Sequence, residues 1–124
     1  MALGVKIREK DGQSPPTRFF STKQEQQIAT TTGGQTTPNS GATMWQKGDI
    51  LTQKFLLEAK TKVKPSESIT LKKEWFQKNK EEALFMGKPY SALVFNFGPD
   101  QENYYVIDEY SFLEFLNYLN NKQE

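Results

Sequence analysis

The residues able to do chemistry gather in Lys47-Gly48-Asp49-Ile50-Leu51 and, a few positions later, in Phe55-Leu56-Leu57-Glu58-Ala59-Lys60. Each apolar run carries an acid, and a lysine stands two residues beyond the second one. Read as strands joined by a turn near Gln53-Lys54, the runs form a hairpin that pairs Leu51 with Leu56, Ile50 with Leu57 and Asp49 with Glu58. Directly opposed residues place their Cβ atoms about 5 Å apart on one face, where like charges destabilise a sheet. Side chains alternate along a strand, so Lys60 joins Glu58 on that face. Two carboxylates beside a lysine do not serve packing; they suit a divalent cation with a cationic group next to it. The alternative is a pair of exposed strand-end acids bridged to Lys47 or Lys60. Apolar residues on both faces of Phe55-Leu56-Leu57 speak for a central strand, where an unpaired acid would be costly.

The chain has no histidine and no cysteine. Ser-His-Asp and Cys-His catalysis are therefore excluded, as are the common zinc sites. Oxygen ligands select hard cations, so the expected cofactor is Mg2+, with Mn2+ able to substitute. A length of 124 residues predicts one domain with one core. No apolar run approaches the roughly 18 residues that span a bilayer, and the expectation is a soluble, cytoplasmic protein. Net charge is only +1, but residues 47–88 carry +4 and residues 89–124 carry −5. The positive third holds the acid pair together with Lys47, Lys62 and Lys64, which are candidate phosphate contacts. Lysines solvating helix faces would leave the same trace.

These residues need elements to position them. Residues 1–18, with Pro15-Pro16 and little periodicity, read as a mobile N-terminal arm whose Lys6, Arg8, Lys10 and Arg18 are a solvated tail or DNA contacts. A helix is predicted from Thr22 to Thr31, ending at Gly33-Gly34. Gln35 to Gly41 reads as loop, Ala42 to Trp45 as a short strand, then the hairpin, and Lys62 to Ser68 as a connection. Leu71, Trp75, Phe76, Ala83 and Met86 fall on one arc of a helix over Leu71–Met86. Tyr90–Phe97 and Asn103–Ile107 read as strands separated by the turn at Gly98-Pro99-Asp100. An aromatic helix over Glu109–Asn120 closes the chain. Its Phe112, Phe115, Leu116 and Leu119 either close the core or bury a dimer interface.

An aspartate followed after a short gap by Glu-x-Lys at the end of an apolar strand resembles the PD-(D/E)XK nuclease superfamily. Lys23-Gln24-Glu25, Gly33-Gly34, Ser40-Gly41-Ala42, Lys47-Gly48-Asp49 and Glu58-Ala59-Lys60, in that order, are most similar to its short phage-encoded Holliday junction resolvase-like branch. Gly48 stands where the superfamily's name places proline. The resemblance implies an α/β fold: a restriction-endonuclease-like αβββαβ core with a mixed central sheet flanked by helices, plus a C-terminal strand and helix. Residues 19–124 would then be a single nuclease domain, in the host cytoplasm if phage-encoded.

The same resemblance implies a Mg2+-dependent endonuclease that hydrolyses phosphodiester bonds in structured DNA, most simply four-way junctions in recombination and repair. Asp49, Glu58 and the backbone carbonyl of Ala59 would ligate the metal, with Glu25 completing the shell. Lys60 would orient the hydrolytic water, where a plain salt bridge to Glu58 is the other reading. Thr22-x-x-Glu25 also matches a helix capping box. Ser40 would approach a phosphate, or simply sit in a turn. Trp75 and Phe76 read as core before base-stacking platforms. Symmetric cutting of a junction implies a homodimer. A catalytically silent DNA-binding protein, a restriction or repair nuclease, and a protein-interaction module built on the aromatic terminal helix are the competing readings.

Overall fold

A computed structural model describes residues 17–37 and 49–122 of the chain. Helix α1 spans Thr17–Thr32 and ends where glycine permits a left-handed residue. Gly33 takes φ 76°, and the Gly34 N–H donates to the Ala29 carbonyl at 3.0 Å, a C-terminal cap of the Schellman type. Thr32 Oγ1 donates to the Ile28 carbonyl at 2.8 Å, which accommodates a hydroxyl in the threonine-rich last turn. The helix starts five residues before the expected Thr22. Arg18 therefore belongs to α1 rather than to an arm. Thr22 and Glu25 lie inside the helix, where no free first-turn N–H remains for a capping box.

Strand β1 (Gln35–Thr36) follows at once, in a stretch expected to be loop. Its cause is Gly34, whose missing side chain lets the backbone close on the next strand. A Cβ there would lie 2.8 Å from both Ile50 Cγ2 and the Leu51 carbonyl oxygen. Strands β2 (Asp49–Leu51) and β3 (Phe55–Lys60) form the predicted hairpin in the predicted register, with Asp49 opposite Glu58, Ile50 opposite Leu57 and Leu51 opposite Leu56. Its turn is held by Phe55 N–H donating to Thr52 Oγ1 at 2.9 Å and by Lys88 Nζ donating to the Thr52 carbonyl at 2.7 Å. The expected strand Ala42–Trp45 lies outside the described residues.

Helix α2 (Lys73–Phe85) is the crossover to β4 (Tyr90–Phe95), which runs parallel to β3. Strand β5 (Tyr104–Val106) returns antiparallel, and helix α3 (Glu109–Asn121) begins at Asp108, whose side chain accepts from the Ser111 N–H at 2.9 Å. The protein is thus α/β, with a five-stranded mixed sheet in the order β1-β2-β3-β4-β5 and three helices among the described residues. No helix among them is long and apolar enough to cross a membrane.

Register assigns the two faces. Ile50, Leu57, Ala92 and Val94 share one face, and α1 covers it through the fully buried Ile28. Asp49, Glu58, Lys60, Leu56 and Leu93 share the other, over which α2 packs. Ser111 and Phe115 are the residues of α3 that turn inward: Ser111 is buried, and the Phe115 ring lies 6.1 Å from Phe55 and 5.0 Å from Tyr90. Phe112, Leu116 and Leu119 remain exposed, so the terminal helix only partly closes the core.

Adding a methyl at Gly34 forces backbone apart, and Gly34→Ala should cost about 1–3 kcal/mol. Gly33→Ala meets no atom within 4 Å and should cost only the left-handed strain, about 1–2 kcal/mol. Urea denaturation of both variants checks this. A Gly34→Ala protein as stable as wild type would contradict the close approach of α1 to β2.

Candidate metal centre

Strand pairing puts two acids at the centre of the sheet. Asp49 is fully buried and Glu58 is 4% exposed. Lys60, one pleat beyond Glu58, reaches back so that its Nζ lies 2.9 Å from Glu58 Oε2. The indole of Trp75, from α2, covers that ammonium at 4.1 Å from the ring centroid. Glu58 therefore has a counter-charge, and the counter-charge is itself held.

Asp49 has no such arrangement. Neither of its carboxylate oxygens has a hydrogen-bond partner among the described residues, although both are shielded from solvent. Burial, and then the neighbouring charges of Glu58, Glu82 and Glu25, push its pKa up to about 8, against a smaller opposing effect of Lys60. Glu82, on α2, is the third acid here. Its Oε1 is also buried without a partner, and burial followed by the Glu58 charge raises its pKa. One carboxylate oxygen each from Asp49, Glu58 and Glu82 lie within 4.8 Å of one another.

Such a cluster meets the chemical requirements of a hard divalent cation. The donors are all carboxylate oxygens, two of the three acids present buried oxygens with no partner, and a cation would remove the repulsion that raises Asp49. Magnesium binds through one or two carboxylates and keeps several waters, which a centre of this donor type allows.

Four of the other expected residues lie among those described. Ala59 lies between Glu58 and Lys60 with its side chain packed toward the core on the opposite face. Glu25 sits half-buried on α1, outside the 4.8 Å group but near enough for its charge to act on Asp49. Lys62 is half-buried and Lys64 exposed, both in the connection leaving β3. Ser40 and Lys47 fall outside the described residues.

Sequence reasoning missed three participants. Glu82 was legible in principle, because it follows Trp75 by seven residues and so shares its helical face. Trp75 serves as the lid of Lys60 rather than as plain core. Gln24, buried on α1, donates to the Lys60 carbonyl at 3.3 Å and to Asn103 Oδ1 at 3.2 Å, and accepts from Thr61 Oγ1 at 2.7 Å. Nothing in its spacing distinguishes it from the surrounding glutamines. No family model, curated protein or solved structure matches the chain.

The Asp49 carboxyl titrates near 3.8 when unfolded and near 8 when folded, so between those values the folded protein holds a proton that the unfolded chain has lost. Metal-free stability should fall as pH rises through that window, and Asp49→Asn should abolish most of the fall. In EDTA at about pH 8 the variant should exceed wild type by more than about 1 kcal/mol, with the gap shrinking toward about pH 4. Thermal melts across pH check this; parallel curves for the two proteins would refute it.

Proposed function

We propose that the protein is a Mg2+-dependent endonuclease acting on structured DNA, with four-way junctions as the substrate that its resemblance to the resolvase-like branch of the PD-(D/E)XK superfamily favours. The observation that carries this reading is the Asp49–Glu58 pair, opposed across one strand pair with Asp49 buried and unpartnered and Lys60 held against Glu58. The order helix, three strands, helix, strand is compatible with that superfamily's core. So is the parallel β3–β4 pair joined through α2.

Asp49 and Glu58 would hold the cation, which when bound supplies Lewis-acid polarisation of the phosphodiester. Glu58 also anchors Lys60. That ammonium offers its remaining donors to the attacking water and to the charge that grows on the phosphoryl oxygens. Trp75 restrains the lysine from one side, and Gln24 fixes its backbone from the other. Both restraints lower the entropy lost in aligning the ammonium with the phosphate. Lys62 and Lys64, next along the chain, would meet the flanking phosphates.

Incubation with branched, duplex and single-stranded DNA, each with Mg2+ and with EDTA, tests the reading. Cleavage should require Mg2+ and favour the branched form. Lys60→Ala should reduce the rate by at least about a hundredfold while leaving metal affinity close to wild type. Salt-sensitive DNA binding without any cleavage would instead mark a silent binding protein.

Junction resolution needs two active sites, and the exposed Phe112, Leu116 and Leu119 of α3 offer an apolar face to a second copy. A stable dimer buries about 800 Å2 on each partner, more than one short helix supplies, so a further surface must contribute. Sedimentation at micromolar concentration, with and without a junction, should show a dimer. A monomer that still cuts DNA would retain the nuclease and remove the resolvase.

A further inference from the structure

We infer that Glu82 of α2 is the third cation ligand of the Asp49–Glu58 centre, so that the helix lying over the acid face of the sheet, rather than α1, completes the metal shell. The inference rests on the metal-dependent reading above and deepens it.

Asp49, Glu58 and Lys60 share one side of the sheet by strand alternation, and α2 lies on that side, its Trp75 ring over the Lys60 ammonium. Helix α1 covers the other side through Ile28. An acid on α2 looks directly onto the pair, and Glu82 places an oxygen within 4.8 Å of oxygens from both Asp49 and Glu58.

Glu82 Oε1 is buried with no hydrogen-bond partner among the described residues, and both oxygens of the fully buried Asp49 are in the same condition. An ordinary surface glutamate would turn its carboxylate to water or to Lys78 one turn earlier. Lys78 lies close enough to act on Glu82 electrostatically, yet Glu82 Oε1 still has no donor among the described residues. Three carboxylates against one ammonium leave a net charge of −2 when all are ionised, which one divalent cation neutralises. Trp75 lies two turns before Glu82, so a single face of α2 holds the lysine and presents the third acid.

Mn2+ titration calorimetry on the full chain without DNA provides the test, with folding of each variant checked by circular dichroism. Glu82→Gln should weaken Mn2+ binding by at least about tenfold, as should Asp49→Asn, while Glu81→Gln, at the exposed neighbouring position on α2, should stay within about twofold of wild type. Wild-type affinity in Glu82→Gln, with Asp49→Asn impaired, would overturn the assignment and leave the nuclease reading standing. A wild-type protein that takes up no Mn2+ would overturn it as well. If Glu82→Gln fails to fold, Glu82→Asp keeps the charge and withdraws the oxygen; unchanged Mn2+ affinity there would equally overturn the role. Glu82-dependent Mn2+ binding in a protein that cleaves no DNA form would support the ligand and reject the nuclease instead.

Discussion

The arrangement depends on a like-charge opposition that apolar register imposes. Ile50 and Leu57, both buried, face each other beside Asp49 and Glu58, and each such side chain contributes about 1.5–3 kcal/mol on burial. A one-residue slip of β2 against β3 would turn every side chain to the wrong face. The parallel pairing of β3 with β4 places β3 at the centre of the sheet and removes the remaining freedom. The acids thus meet because their apolar neighbours cannot pack otherwise.

The protein neutralises one of the two acids and leaves the other without a counter-charge. Glu58 is balanced by Lys60, Lys60 is covered by Trp75, and the Lys60 carbonyl accepts from Gln24, so one hydrogen-bonded and cation–π chain runs from α2 through β3 to α1. Buried polar groups that are fully satisfied in this way rigidify their surroundings. Asp49 stands outside the chain of partners, and its raised pKa records the cost. A structural site would be expected to satisfy that carboxylate. A cation-binding site gains from leaving it free, because the repulsion is relieved only when the ion arrives.

Charge and apolar surface are segregated along the chain. The positive middle third encloses the acid centre, whereas the last third carries −5 and includes α3 with its exposed aromatic residues. Phe115 anchors α3 against Phe55 and Tyr90, and the Tyr90 hydroxyl adds a hydrogen bond to Glu114 at 2.9 Å. Apart from these residues and the buried Ser111, the helix faces outward. The excess positive charge and the exposed apolar side chains of α3 therefore belong to different stretches of the chain.

Local pattern alone determined the hairpin, its register and the meeting of Asp49, Glu58 and Lys60, since alternation and pairing over twelve residues need no distant information. The same holds for α2, β4, β5 and α3, each marked by periodicity and turn residues, with ends displaced by only a few positions. Helix α1 was harder to bound. Its early start rests on Phe19 and Phe20, an adjacent pair without helical spacing of its own, and its stop was visible only because Gly33 admits φ 76°. The pairing of Gln35–Thr36 depended on Gly34 meeting Ile50 and Leu51, a contact between segments about sixteen residues apart. Tertiary structure likewise decided that α2 lies on the acid face and α1 on the other. That placement brought Glu82 and Trp75 to the centre and gave Gln24 the Lys60 carbonyl, because side chains remote in sequence become neighbours only once both faces of the sheet are covered.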